Sequence, residues 1–334
     1  VSVAAALKTL AGGKSLTRDA AAEAFLDLME RREPPSRQGA LLGALAAKGE
    51  TPDELAGAVG AVRSVMRRVR CSRRPLLDTC GPGGNGGDTV NVSTGAAIVC
   101  AGAGAAVAKH GNRSATSRCG SADVAERLGI PLERTPEQAE ADLDENGFAF
   151  LFAPAFHPAM REVAPVRREL GFRTIFNLIG PLANPAGASH QLIGVGDFAT
   201  ARLLAESLAL LGSERAVVFH SENGLGELTP GVSAIGFDVR GGRSAPWRFD
   251  PGVLAQAAVG AAEIRGGGAE ENARILRAML DGEPGPVRET VLLNAAAALW
   301  TAEAARTLHD AYAMAAGAVD SGRARAVLEK AARK

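Results

Sequence analysis

Aromatic side chains are scarce in this sequence: Phe, Trp and Tyr together make up 4% of its 334 residues. A large core built without rings must pack by close approach of helices and strands, with Ala and Gly at the contacts. Net charge is missing too. The 37 basic and 37 acidic residues cancel, which argues against a general nucleic-acid or membrane-surface binder, though not against a local basic site. Cys71, Cys80, Cys100 and Cys119 show no CxxC spacing. Free thiols in a reducing compartment are therefore expected rather than disulfides. The N-terminal stretch lacks a basic segment followed by a long apolar run. The most apolar stretch, 92–108, is broken by Gly, Ser and Thr and is too short to span a bilayer. These absences predict a soluble cytoplasmic protein with no membrane partner. No Ser-His-acid or Cys-His arrangement and no HExxH spacing is readable.

What is present is helix, then alternation. The first ~65 residues read as helical, with the clearest start at Thr51-Pro52-Asp53-Glu54. There Thr51 can cap, Pro52 suits the first turn and Glu54 completes a capping box. Leu55, Val59, Val62 and Met66 follow at helical spacing. Six arginines lie between Arg63 and Arg74, without interleaved aromatics, so a solvated helix end is preferred to a nucleic-acid patch. From residue 75 the pattern changes. PLLDTC, AAVAKH, FAFLF, QLIGVG, AVVFH and AIGFDV read as strands separated by helical segments. Ser93 or Thr94 is expected to open one helix, Ser121 to cap the next, and Thr135-Pro136-Glu137-Gln138 to start a third that closes at Asn146-Gly147. Residues 260–334 read as mostly helical. The expectation is an α/β fold with an all-α domain: a small N-terminal helical domain and a large α/β domain with a central, mostly parallel sheet flanked by helices. The helical domain should span 1–70, with a contribution from about 160–185, and the α/β domain 71–334.

Two motifs carry chemistry. In 81–94, GPGGNGGDTVNVST, five glycines fall within seven residues between a strand and a helix start. Such a turn can aim bare backbone N–H groups and a helix N-terminus at an anion. Asn91, Ser93 and Thr94 add polar side chains, and Lys109, at the end of the next strand, adds a full charge. No GxxxxGK motif is present, and the formal GxGxxG match at 81–86 is not followed at once by a helix. A phosphate cradle and a structural turn or lid both remain open, the cradle being favoured. The second motif, Lys109 to Ser114, packs cation, imidazole, amide and guanidinium around one glycine and is expensive to bury. His157 stands at a loop-to-helix junction, while His190, His220 and His309 suggest no role. A metal here would be Mg²⁺ held mainly by ligand phosphates with one or two carboxylates, Glu227 being the candidate.

These segments, taken in order, resemble the anthranilate phosphoribosyltransferase family of tryptophan biosynthesis. The resemblance rests on GPGGN with Asn91-Val92-Ser93-Thr94, on KHGNR at 109–113, and on GSADV at 120–124. RTIFNLIGPLANPAG at 173–187 and NAAAAL at 294–299 complete it. It implies transfer of the phosphoribosyl group of 5-phosphoribosyl-1-diphosphate to the anthranilate amine, with Mg²⁺ and a homodimer formed through the helical domain. Carried over by position, the donor would meet Gly81, Gly84, Asn85, Thr89, Asn91, Ser93, Thr94, Lys109, Ser117 and Ser121. The acceptor would meet Gly81, His110, Asn112, His157 and Arg167, and Mg²⁺ would meet Ser93 and Glu227. No general base is assignable; His110 is the one side chain kept as a candidate.

Four positions depart from the family pattern. Pro82 replaces Thr, Asn85 replaces Asp, Gly226 replaces the Asp before Glu227, and Cys119 replaces a common Ser. Two negative charges are thereby lost on the expected metal side, with Asp88 nearby in sequence. Two other readings follow from these features. One is a phosphoribosyltransferase using another aromatic acid; the other is a non-catalytic relative that binds nucleic acid through the arginine run.

Overall fold

A computed structural model of the chain describes residues 2–30, 33–82, 89–114, 117–254 and 257–333. Gly84 and Asn85, expected to meet the donor, lie outside the described residues, as does Asp88 nearby in sequence.

The N-terminal part is built from helices Val3–Ala11, Arg18–Met29, Pro35–Lys48 and Pro52–Val65. The last begins with the expected capping box, Thr51 and Glu54 each closing on the other's backbone N–H. Glu54 is fully buried. It is satisfied there because its carboxylate also accepts from the Leu16 N–H at 2.8 Å and pairs with Lys48 at 2.9 Å. One side chain thus caps its own helix and pins the loop that enters Arg18–Met29. The two helices meet at Gly57, where a Cβ would collide with the Arg18 carbonyl oxygen and lie 2.8 Å from the Ala21 methyl. Later helices Ala164–Leu170 and Ile175–Leu182 pack against this bundle, so residues far along the chain complete it.

The remainder is organised on one seven-stranded sheet: β1 (Leu76–Cys80), β2 (Ala106–Gly111), β3 (Phe148–Phe152), β4 (His190–Gly194), β5 (Arg215–Ser221), β6 (Ala234–Arg240) and β7 (Arg243–Phe249). The spatial order is β3-β2-β1-β4-β5-β6-β7, parallel through β5 and antiparallel from there. β1 to β5 are almost wholly buried, as parallel strands covered on both faces must be. From β1 the chain winds first toward β3 and then, through β4, the other way. Such a reversal opens a crevice at the carboxyl ends of the central strands. Helix Val92–Gly102 is buried along nearly its whole length and packs on helix Pro286–Thr301, itself mostly Ala and Leu where buried. This is the low-aromatic packing the composition requires. No helix among the described residues is long and apolar enough to cross a membrane.

Three local expectations are corrected. The helix after the glycine loop starts at Val92, with Asn91 at the cap position, rather than at Ser93 or Thr94. Ser121 is the first residue of helix Ser121–Arg127 and not its cap; the Asp123 carboxylate instead accepts from the Gly120 N–H at 2.8 Å. β7 has no counterpart among the expected strands, because in RSAPWRF Pro246 and its polar neighbours do not alternate as a half-buried strand does. It is a sheet-edge strand, where proline is tolerated.

Candidate active site

A cavity of about 870 Å³ occupies the crevice. Its floor is the carboxyl ends of β1, β2 and β4 with the loop after β5. Its other wall is helical, with Val62, Arg167 and Phe176 facing in. The cavity therefore lies where the helical bundle meets the sheet.

Polar groups gather at one end. Gly81, Thr89, Asn91, Ser93, Lys109, Ser117, Ser121 and Glu227 all line it, as do Pro82, Cys119 and Gly226. Thr94 does not. Its side chain is fully buried and its hydroxyl has no hydrogen-bond partner, because in the third helical position it turns into the core. Lys109 is 2% exposed, its ammonium donating to the Thr79 carbonyl at 2.5 Å. Burial works against its charge, and the neighbouring Asp78 carboxylate opposes that effect. Thr79 in turn donates to the Ser93 carbonyl at 2.8 Å, so β1 ties the lysine to the helix N-terminus.

The loop carrying the second motif is held as a unit. Asp123 accepts from the Ser114 N–H at 3.1 Å, and Ser114 and Ser117 share a hydroxyl contact of 2.7 Å. Gly120 is required here: a Cβ would strike the Ser114 N and the Arg113 and Asn112 backbone. Arg113 also lines the cavity, but its guanidinium is paired with Asp123 at 2.9 Å and Glu126 at 3.0 Å. The cation of this motif that remains for a ligand is Lys109 rather than Arg113.

The opposite end is apolar with guanidinium groups. Val62, Met160, Phe176 and Ile179 line it beside His110, His157 and Arg167; Asn112 also lines the cavity, its backbone N–H donating to the Ser121 hydroxyl of the polar end at 3.2 Å. The Arg167 guanidinium carbon sits 5.2 Å from the Phe176 ring centroid, an arrangement that holds the plane of the fork. Arg161 and Arg173 also reach the wall. His110 has one nitrogen, Nδ1, 3.0 Å from the Gly180 carbonyl, so Nδ1 carries the hydrogen and Nε2 keeps a free lone pair. Burial, with His157 adding to it, pushes the His110 pKa down to about 3; burial pushes His157 to about 4. Both rings are neutral at neutral pH. A group that weakly basic accepts a hydrogen bond but makes a poor proton acceptor.

Among the described residues, Glu227 is the one carboxylate that lines the cavity. Burial raises its pKa to about 7, and the Thr89 hydroxyl donates to it at 3.4 Å. Among the described residues no group of three or more His, Cys, Asp or Glu could hold a metal by itself. A hydroxyl and a single carboxylate nonetheless fit Mg²⁺, which takes most of its oxygens from phosphate and water.

Some pocket residues were not anticipated. Gly267, Arg161 and Arg173 lie on the wall, and Asn272 stands directly behind Asn91. The two arginines carry no pattern that separates them from solvated surface, and Asn272 is an isolated amide on an amphipathic helix.

Two family models match the chain. The helical bundle domain of the glycosyl transferase family covers residues 4–66, and its a/b domain covers residues 73–325. The anthranilate phosphoribosyltransferase of Symbiobacterium thermophilum is 49% identical over 98% of this chain and 96% of its own length. That of Thermomicrobium roseum is 45% identical over 98% and 95%. Among solved structures, the anthranilate phosphoribosyltransferase of Thermus thermophilus superposes with a TM-score of 0.91 at 43% identity, covering 98% of each chain. The Saccharomyces cerevisiae enzyme in complex with PRPP and Mg gives 0.90 at 25% identity, covering 99% of this chain and 98% of that one.

Proposed function

This chain belongs to the anthranilate phosphoribosyltransferase family, and we infer from its pocket how it moves the 5-phosphoribosyl group of 5-phosphoribosyl-1-diphosphate onto the amine of anthranilate. It is a pentosyltransferase. The observation that carries the reading is the division of one cavity into two chemistries. Asn91, Ser93 and Lys109 stand at a helix N-terminus at one end, and Arg167 lies over Phe176 beside two neutral histidines at the other. The first suits a sugar diphosphate and the second a flat ring bearing a carboxylate.

In this reading Gly81, Thr89, Asn91, Ser93, Lys109, Ser117 and Ser121 hold the donor. Gly84 and Asn85 keep the donor role implied by the resemblance. The buried Lys109 keeps two ammonium hydrogens beyond the one given to Thr79, and these can meet phosphate oxygens. Arg167 takes the anthranilate carboxylate as a two-pronged fork, and Asn112, His110 and His157 border the ring. The anomeric carbon loses its bond to the diphosphate oxygen, which keeps the electron pair, and gains a bond to the amine nitrogen. An aromatic amine beside a carboxylate is a weak nucleophile, so alignment and charge stabilisation must lower the barrier. His110 presents a lone pair rather than a base, and we assign it orientation of the amine. Ser93 and Glu227 would hold Mg²⁺, which when bound supplies positive charge to the departing diphosphate.

We further propose a cytoplasmic homodimer joined through the helical bundle; light scattering would test the dimer. A nucleic-acid role for the arginine run has little support. Arg63, Arg67, Arg73 and Arg74 each donate to backbone carbonyls, of Leu182, Ala155, Asp144 and Cys71 respectively, and so serve as straps. The deciding experiment is an assay with both substrates across a Mg²⁺ titration. Formation of N-(5-phosphoribosyl)anthranilate with diphosphate release is expected. No anthranilate consumption at any Mg²⁺ level would reject the reading, and preference for another aromatic acid would revise the acceptor.

A further inference from the structure

Behind the polar end of the cavity two side-chain amides are wired in series. The Gly267 N–H donates to Asn272 Oδ1 at 2.7 Å, and Asn272 Nδ2 donates to Asn91 Oδ1 at 2.9 Å. The Cys119 thiol donates to the same Asn91 oxygen at 3.3 Å, and Asn91 Nδ2 donates to the Cys119 carbonyl at 3.3 Å. Asn272 lies on helix Ala269–Leu280 and is 1% exposed.

The direction of each link follows from the first. A backbone N–H can only donate, so Asn272 must turn its oxygen toward Gly267 and its nitrogen toward Asn91. Asn91 must then turn its oxygen back toward Asn272. That oxygen is filled by two donors. What Asn91 has left for the cavity is the second hydrogen of its Nδ2. The other orientation of Asn91 would aim a carbonyl oxygen at any anion bound there and would set two N–H groups against each other behind it.

We propose that Asn272 is a positioning residue for the phosphorylated donor: relaying the polarity of the Gly267 N–H, it fixes Asn91 as a one-way hydrogen-bond donor into the pocket. This rests on the reading of that end of the pocket as the donor site. Cys119 reinforces the arrangement, which gives its thiol a task a serine hydroxyl could also perform. Asn272 does not line the cavity itself and acts through Asn91.

The test is calorimetric binding of 5-phosphoribosyl-1-diphosphate with Mg²⁺, without anthranilate, to the wild type, N272A, N272D, N91A and the two double variants. N272D keeps the volume and the acceptor for Gly267 but cannot donate to Asn91, so Asn91 turns. N272A is expected to weaken donor binding about tenfold, the worth of one such bond to an oriented amide, and N272D more. The anthranilate KM should stay within about twofold. In the N91A background neither change at position 272 should matter further, since the route runs through Asn91. Unchanged binding in N272A and N272D overturns the proposal. So do losses that persist in the N91A background, which would mark N272D as simple charge repulsion, and failure of both single variants to fold, which would make Asn272 structural. A wild type that does not bind the donor rejects the donor-site reading itself.

Discussion

His110 and His157 stand together on the lining of the cavity with ring centroids 5.1 Å apart and planes tilted by 52°. Two imidazoles this close cannot both charge at modest cost, and burial already disfavours charging either. Their pKa values of about 3 and about 4 lie below the ~6.5 of an unfolded histidine. Between those limits the unfolded chain binds more protons than the folded one, so their contribution to stability is complete above ~6.5 and is lost as pH falls toward 4. The thermal midpoint should therefore drop between pH 7 and pH 5, and less so in H110N/H157N. In the same series, the pH profile of kcat should keep its shape when His110 becomes Asn. A limb that disappears in H110N would restore His110 as a general base.

Arg167 should dominate acceptor binding. Its guanidinium is held over Phe176 and, among the described residues, forms no ion pair with a protein carboxylate. R167A should raise the anthranilate KM by about 10- to 100-fold, the worth of a charged hydrogen-bonded pair, with the donor KM little changed. R167K should recover only part of this, since an ammonium cannot reproduce the fork. Equal loss in both KM values would place Arg167 elsewhere in the mechanism.

Much of this was legible from sequence because the decisive signals are local. Capping boxes at Thr51 and Thr135, the apolar runs of β1 to β5, and the polar clusters at 91–94 and 109–114 are each complete within a few residues. What escaped depends on distant contacts. Thr94 looks identical to Ser93 in a string; one lines the pocket and the other is buried by one step of helical rotation. The guanidinium of the 109–114 cluster belongs to Arg113, and only the fold shows Asp123 and Glu126 pairing with it. Asn272 becomes meaningful only when the fold sets it against a residue 181 positions away. β7 hides because its outer edge needs no alternation.

Glu227 stands alone where the family pattern has two acidic residues, Gly226 occupying the other position. If the single carboxylate holds the metal, E227Q should raise the Mg²⁺ concentration needed for half-maximal donor binding by about tenfold or more, with thermal stability kept or improved, since a buried charge is removed. Calorimetric donor titrations at several Mg²⁺ levels check this. An unchanged Mg²⁺ dependence would leave the ion to Ser93 and the phosphates.

Gly57 tests the low-aromatic packing. A methyl there meets the backbone of Arg18 and the side chain of Ala21, neither of which can swing away. G57A should therefore destabilise the helical bundle by about 1–3 kcal/mol despite the better helix propensity of alanine. G60A is the control, because nothing lies within 4 Å of a Cβ at that neighbouring glycine. Denaturant unfolding of the two variants should move in opposite directions or at least differ by that amount.

Asp78 and Lys109 form the last pair to separate. Asp78 is fully buried on β1, accepting from the His110 N–H at 3.2 Å and from Asn184 at 2.8 Å. Burial pushes against both charges, and their mutual attraction opposes it. D78N keeps the shape but leaves the ammonium unbalanced, which should cost about 3–5 kcal/mol of stability. K109M strands the carboxylate in the same way. The double variant removes both charges and should regain part of that stability, the new amide at position 78 still setting its own N–H against one of the two donors the carboxylate accepted from. Donor affinity should behave differently. It should fall in K109M and stay low in the double variant, because the pocket has lost the cation itself. Stability that recovers while binding does not would separate the lysine's role toward the ligand from its role in the fold; recovery of both would mean the pocket never used the charge.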